Sequence, residues 1–317
     1  MQVRHGVRAA LTNLQPADLV LVACSGGPDS MALAKAVSLE APLAHIGAGA
    51  IVVDHGWSQS SQEVVARTVA SLETMGLAPV LTAKLPPHEK SETAARDLRY
   101  AAISQAAAET NARAVFLGHT QDDQAETLLM RLARGSGTKS LAGIPPKRDI
   151  FVRPLLGVSR QVTHEACQEW SLVTWQDPAN FDTRHTRVRV RQNVLPALAD
   201  ALGEGVTQGL ARSANLLRDD AEVLDGLAAQ TFDLVFDEQN QTLNAEKLAA
   251  EQAAISRRVL LNWVSQCGVP KAELTFLHAS QLQSLLSREQ NSTRVALPAR
   301  FTDWRDGTDL RCEMVSP

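Results

Sequence analysis

The sequence predicts an α/β fold: a doubly wound parallel sheet, then a helical connector and a smaller, mostly α C-terminal domain. Three observations carry that expectation. Short, continuously apolar runs, as expected of strands buried on both faces, alternate with longer amphipathic stretches through the first half of the chain. Residues suited to binding an anion or moving a proton fall where those runs end, and open α/β sheets bind ligands outside the carboxyl ends of their strands. The 317 residues are enough for about two domains, each with its own core.

Residues 19–24 (LVLVAC) form the first run, and residues 50–54, 79–81 with their flanks, and 114–117 repeat the pattern. Residues 30–40, 60–75, 91–109 and 122–134 read as the intervening helices. Alternation of this kind implies parallel strands with helices on both faces. Further on, 159–170 reads as a helix and 172–175 as a short strand, followed by a loop rich in Asp, Asn and Arg. From 194 to about 229 the pattern is helical, marked by Leu195, Leu198, Leu202, Val206, Leu210, Leu216, Leu217 and Leu224. Helix-like Leu/Ala segments then precede a strand-like end at 293–297. The expected division is 1–200 and 201–317.

Charge and cysteine content narrow the class. Thirty-one Lys and Arg against thirty-five Asp and Glu leave a net charge of −4, which excludes a uniformly basic nucleic-acid coat but not a local basic stripe. The cysteines at 24, 167, 267 and 312 are too scattered for a disulfide framework and lack zinc or iron–sulfur spacing. No apolar run has transmembrane length, and the first residues lack a basic-then-apolar leader layout. The reading is a cytoplasmic protein without a membrane partner.

The most informative string is Ser25-Gly26-Gly27-Pro28-Asp29-Ser30, between the first apolar run and a helix. Two glycines let the backbone approach an anion, two serines offer hydroxyls, and the helix start points free N–H groups at the same place. It is neither a Walker A loop nor a GxGxxG fingerprint. This string resembles the signature of the PP-loop ATP pyrophosphatase superfamily, SGGxDS after the first strand. The resemblance implies an adenine-nucleotide α-hydrolase type of sheet and cleavage of ATP between its α and β phosphates. It places Ser25, Gly26, Gly27, Pro28, Asp29 and Ser30 on the pyrophosphate end, with Mg2+ near Asp29. Val53, Asp54, His55 and Gly118 then fall at the adenosine.

Further motifs follow in chain order: VDHG at 53–56, ARDLRY at 95–100, LGHTQDDQAET at 117–127, RGSG at 134–137 and RPLL at 153–156. His119, Asp122, Asp123 and Glu126 recur at helical spacing and can share one face. Taken singly, each has a plain alternative: first-turn acids complement a helix dipole, His119 is a structural histidine, and Arg96 and Arg99 form a solvated face. As a series they resemble the short form of the tRNA(Ile)-lysidine synthase family, over about residues 18–200.

That resemblance implies an ATP-dependent ligase. Free L-lysine is joined to C2 of the wobble cytidine of CAU-anticodon tRNA(Ile) through an adenylated cytidine. Lysidine, AMP and pyrophosphate are the products, codon reading changes from AUG to AUA, and aminoacylation identity changes from Met to Ile. Asp29, His119, Asp123 and Glu126 become the catalytic candidates, and Asp122, Asp123 and Glu126 the lysine-binding ones. Arg96 and Arg99, with Arg184, Arg187, Arg189 and Arg191 in the run NFDTRHTRVRVRQN, are the tRNA-binding candidates. The arginine run has its own plain reading as a solvated edge strand or helix start. A homodimer stays open. The main alternative is a PP-loop tRNA sulfurtransferase; Cys24 abuts the loop, but Cys167 lies on a distant helix with no partner near it in sequence. An amidotransferase-type synthetase would lack its glutaminase, and a non-catalytic nucleotide module would leave the acidic and arginine clusters without a role.

Overall fold

The computed structural model describes residues 1–54, 59–86, 92–287 and 293–315. The chain divides into two compact units, Met1–Leu217 and Arg218–Pro317. The first contains α1 (Gln2–Leu11), β1 (Leu19–Ala23), α2 (Pro28–Glu40), β2 (Gly47–Asp54), α3 (Gln59–Thr74), β3 (Val80–Lys84), α4 (Glu92–Glu109), β4 (Ala114–Leu117) and α5 (Gln121–Leu132). It continues through α6 (Thr138–Leu141), β5 (Lys147–Arg148), β6 (Phe151–Val152), α7 (Arg160–Glu169), α8 (Thr186–Arg189), a π turn over Val190–Val194, and α9 (Leu195–Leu202).

The sheet order is β3-β2-β1-β4-β6-β5. Every pair is parallel except β5–β6, so the doubly wound parallel sheet is present. Alternation in β1 explains why its sequence is apolar throughout. Val20 and Val22 pack on one face with residues of α1, α2 and α7, while Leu21 packs on the other with Ile103, Ala106 and Ala107 of α4. All three side chains are fully buried, each worth about 1.5–3 kcal/mol against exposure. The strand order reverses between β1 and β4, which is where open α/β sheets place their ligands.

Three segments differ from expectation. Residues 172–175 are not a strand: Leu172 N–H donates to the Cys167 carbonyl (2.9 Å) and Trp175 N–H to the Gly26 carbonyl (2.8 Å), so this backbone serves a helix end and the glycine loop. The helical run from 194 breaks at Gly203, whose φ of +98° lies outside helical space, giving α9 and a separate α10 (Val206–Val235). The division between units falls at 217/218, within α10; the sequence reading set it at 200/201.

The second unit adds β7 (Phe236–Asp237), β8 (Thr242–Asn244), α11 (Ala245–Ala249), α12 (Ala253–Gln266), α13 (Phe276–Ser284), β9 (Arg294–Leu297), β10 (Phe301–Asp306) and β11 (Asp309–Met314). Its strands form an antiparallel sheet, β7-β8-β11-β10-β9, around which the helices pack through Leu248, Leu260, Trp263 and Leu282. Only β9 was legible beforehand. In β10 the buried face carries Phe301, Asp303 and Arg305, so two charged residues hide the usual apolar alternation. Arg305 donates to the Leu286 (2.8 Å) and Gly307 (2.9 Å) carbonyls.

Asp303 lies opposite Cys312 across β10 and β11, is fully buried, and has no hydrogen-bond partner on either carboxylate oxygen among the described residues. Burial, reinforced by Cys267, holds its carboxyl well above the ordinary carboxylate range. The folded chain keeps this proton where the unfolded chain releases it, so stability falls as pH rises from about 4 toward the folded value. Asp303→Asn should flatten that dependence, measured by urea unfolding with hydrogen-exchange readout of β10; an unchanged slope would contradict the assignment.

Candidate active site

The phosphate-loop geometry begins with Gly26. Its φ is +80°, and a Cβ there would sit 2.6 Å from Thr68 Oγ1, so both backbone and space require glycine. Ser30 Oγ donates to the Gly27 carbonyl (2.9 Å) and accepts from the Ser25 N–H (3.2 Å), fixing the loop from inside. Pro28 opens α2 at a position where no amide hydrogen is needed. The first-turn amides of α2 have no carbonyl one turn back and carry the positive end of the helix dipole. From β4, Gly118 comes so close that a Cβ would lie 3.1 Å from the Ser30 nitrogen. The end of β4 is thereby brought against an anion-binding helix start.

The acidic residues of α5 meet this loop through α7. The Arg160 backbone N–H donates to Asp122 Oδ2 (2.7 Å). Its guanidinium donates to Asp123 Oδ1 (3.1 Å) and Glu126 Oε1 (3.1 Å), and its Nε lies 3.6 Å from Asp29 Oδ2. One turn later, the buried Thr163 hydroxyl donates to Asp29 Oδ1. Asp123 Oδ2 accepts from the Thr120 N–H (2.8 Å) and hydroxyl (3.0 Å), so half of that carboxylate caps α5. Glu126, with no exposed side-chain surface, also takes two bonds from Arg191 (2.7 and 3.1 Å) and lies 3.3 Å from Arg187 Nε. Four carboxylates face three guanidinium groups, leaving one negative charge when all are ionised.

Electrostatics follow from that packing. Burial raises Asp29, with the Thr163 bond and Arg160 opposing, and leaves its carboxyl above its ordinary value. Burial would also raise Asp123, but Arg160, His119, the Thr120 amide and Arg187 together hold it below. Burial lowers His119 to about 4; Arg153, Arg187 and Arg96 add to that and Asp123 opposes it, so the imidazole is neutral at pH 7. Its Nδ1 is buried without a partner among the described residues.

The remaining predicted residues scatter. Val53 and Asp54 end β2, half-buried, and His55 lies outside the described residues. Arg96 is exposed, stacked over Tyr100 with its Cζ 4.9 Å from the ring centroid, and Arg99 is half-buried on the same helix. The arginine run divides. Arg187 and Arg191 turn inward to Glu126, while Arg184 is exposed on Asp182 (2.6 Å) and Arg189 donates to the Thr183 (2.8 Å) and Arg184 (2.9 Å) carbonyls. Cys167 is not remote from the phosphate loop: its thiol donates to the Pro28 carbonyl (3.3 Å) because α7 packs against α2. Sequence reasoning missed Arg160, Thr163 and Thr68. Arg160 carried one usable signal, since a cation at the first position of a helix opposes the dipole there.

Asp29 offers hard oxygen donors of the kind Mg2+ takes together with substrate phosphates. Among the described residues no group of three or more His, Cys, Asp or Glu forms a protein-only cage. Asp29 is the residue that would hold such an ion together with a nucleotide's phosphates.

A strand, an SGGPDS loop, a helix start and carboxylates at a switch point define a PP-loop nucleotide site, and a family model described as a PP-loop domain matches residues 2–198. The tRNA(Ile)-lysidine synthase of Thermobifida fusca is 43% identical over 93% of this chain and 92% of its own. That of Streptomyces coelicolor is 43% identical over 94% and 86%, and that of Salinispora arenicola 42% over 96% and 93%. The chain belongs to the tRNA(Ile)-lysidine synthase family. Among solved structures, the U34-tRNA thiolase NcsA from Methanococcus maripaludis, solved with its [4Fe-4S] cluster, superposes with a TM-score of 0.58 at 15% identity, covering 69% of this chain and 79% of that one; the likeness is one of fold.

Two measurements check this geometry. His119 should titrate by NMR with a midpoint near 4; a midpoint near 6.5 would place it in water. Glu126→Gln removes the charge shared by three guanidinium groups and should cost about 3 kcal/mol or more in urea unfolding.

Proposed function

We propose that this ATP-dependent ligase joins L-lysine to C2 of the wobble cytidine of CAU-anticodon tRNA(Ile), releasing AMP and pyrophosphate. One observation carries the reading: a phosphate-binding helix start and a set of carboxylates suited to an ammonium are held together by the first turn of α7. Adenylation comes first. The cytosine carbonyl oxygen is a weak nucleophile, so its attack on the α-phosphate depends on alignment and charge neutralisation. The Gly26 and Gly27 amides and the α2 dipole stabilise the departing pyrophosphate. Asp29 would hold a Mg2+ that supplies further neutralisation there.

The lysine ε-amine attacks the activated carbon and must arrive as an ammonium and then lose a proton. Asp123 keeps some exposed carboxylate surface for it, Glu126 lies buried behind as a countercharge to the arginines, and Asp122 fixes the start of α7 beside them. The neutral His119, with an unpartnered ring nitrogen, is suited to a base or phosphate contact. Arg184 and Arg189, exposed beside the cleft segment, and Arg96 with Arg99 on α4 are the positions for tRNA phosphates. Residues 201–317 would supply further tRNA contacts. No described helix is long and apolar enough to cross a membrane, and a tRNA-modifying role supports the reading of a cytoplasmic protein.

The thiolation alternative has little support. Cys24 is buried against Ser30 and Met31, and burial together with Asp29 pushes the Cys167 thiol up to about 11, the wrong direction for a sulfur nucleophile. In an assay with α-labelled ATP, labelled lysine and CAU-anticodon tRNA(Ile), AMP should appear only with tRNA, and lysine label should enter the RNA. ADP as product, or label transfer from a sulfur donor instead, would overturn the proposal. Asp29→Asn should abolish AMP release. Arg184→Ala with Arg189→Ala should lower the slope of log K against log salt for tRNA by about 1–2 while leaving ATP affinity alone.

A further inference from the structure

We propose that Arg160 is a positioning residue that makes lysine binding depend on bound nucleotide, its guanidinium shifting between the α5 carboxylates and the phosphate loop. The inference rests on the reading under Proposed function and deepens it. The side chain reaches carboxylates from two separate segments, Asp123 and Glu126 at 3.1 Å and Asp29 at 3.6 Å. In this state its closer contacts are on the α5 side. Its backbone is pinned where the N–H donates to Asp122 (2.7 Å), and Thr163 one turn on ties the same helix to Asp29. Movement is therefore left to the side chain, which retains 16% exposure.

A triphosphate seated on the α2 start brings several negative charges beside Asp29, and Arg160 already places a cation 3.6 Å from that carboxylate. As the guanidinium leans toward the phosphates, it gives up its bonds to Asp123 Oδ1 and Glu126 Oε1. Arg191 stays on Glu126 and 3.6 Å from Asp123 Oδ1, so Asp123 loses its closer cation. An ammonium then fills the position the guanidinium left. Nucleotide tightens lysine binding, and by reciprocity lysine tightens nucleotide binding. An arginine serving only to start α7 would be poorly chosen, because the helix dipole disfavours a cation there.

The test is lysine binding to the full chain by calorimetry, with and without α,β-methylene-ATP. The wild-type protein should bind lysine about five-fold tighter, or more, with the analogue present. In Arg160→Met that ratio should fall to about one, and Arg160→Lys, which keeps a charge but cannot span the carboxylates, should restore part of it. Loss of packing alone would weaken both affinities and leave the ratio intact. A wild-type ratio of one, or an Arg160→Met protein with the wild-type ratio, overturns the inference alone. Should Arg160→Met not fold, Arg160→Lys decides it: a full wild-type ratio overturns the proposal, and a reduced one supports it. If wild-type protein binds no lysine in either condition, the functional reading fails and takes this inference with it.

Discussion

The first unit depends on a charge-balance constraint at the start of α7. Four carboxylates from the phosphate loop and α5 lie close together, and like charges at that spacing repel unless cations are placed among them. Arg160, Arg187 and Arg191 supply those cations from two later segments. The burial of Glu126 is possible only because three guanidinium groups meet it, since an unpaired buried carboxylate would cost several kcal/mol. Fold and charge are joined at this point: the same contacts that bring α5, α7 and the arginine segment together hold these carboxylates beside the phosphate loop.

Much of this was readable in the chain because it is local. Strands β1 and β4 are short and apolar on both faces, so composition alone marked them. The phosphate loop was readable because six consecutive residues meet one anion, and α5 because its acids sit at helical spacing. What escaped was non-local. Arg160 lies 34 to 38 residues from its α5 partners, and Thr163 lies 134 from Asp29, so no window of sequence shows them as neighbours. The arginine run illustrates the complementary failure. Its spacing was visible, but whether each side chain faces water or a carboxylate depends on Glu126, 65 residues earlier than Arg191.

The second unit was less legible for a different reason. Its sheet uses short strands, and its central pair places Asp303 and Arg305 on the buried face. Arg305 is accommodated by two carbonyls, whereas burial of Asp303 shifts its carboxyl toward the neutral form. Neither solution leaves a period-two apolar trace. Residues 172–175 misled in the opposite way: apolar enough for a strand, they have their backbone engaged by α7 and Gly26.

The order in which the chain builds its cleft has a practical corollary. Strands β1 to β4 are complete by Leu117, yet the countercharges for Asp29, Asp123 and Glu126 come only from residue 160 onward. A nascent or truncated polypeptide ending near β6 would own nearly the whole sheet and an electrostatically frustrated mouth. Assembly of this half is thus finished last where it matters most, and excised fragments intended as minimal nucleotide binders must extend through the inward-turning arginines.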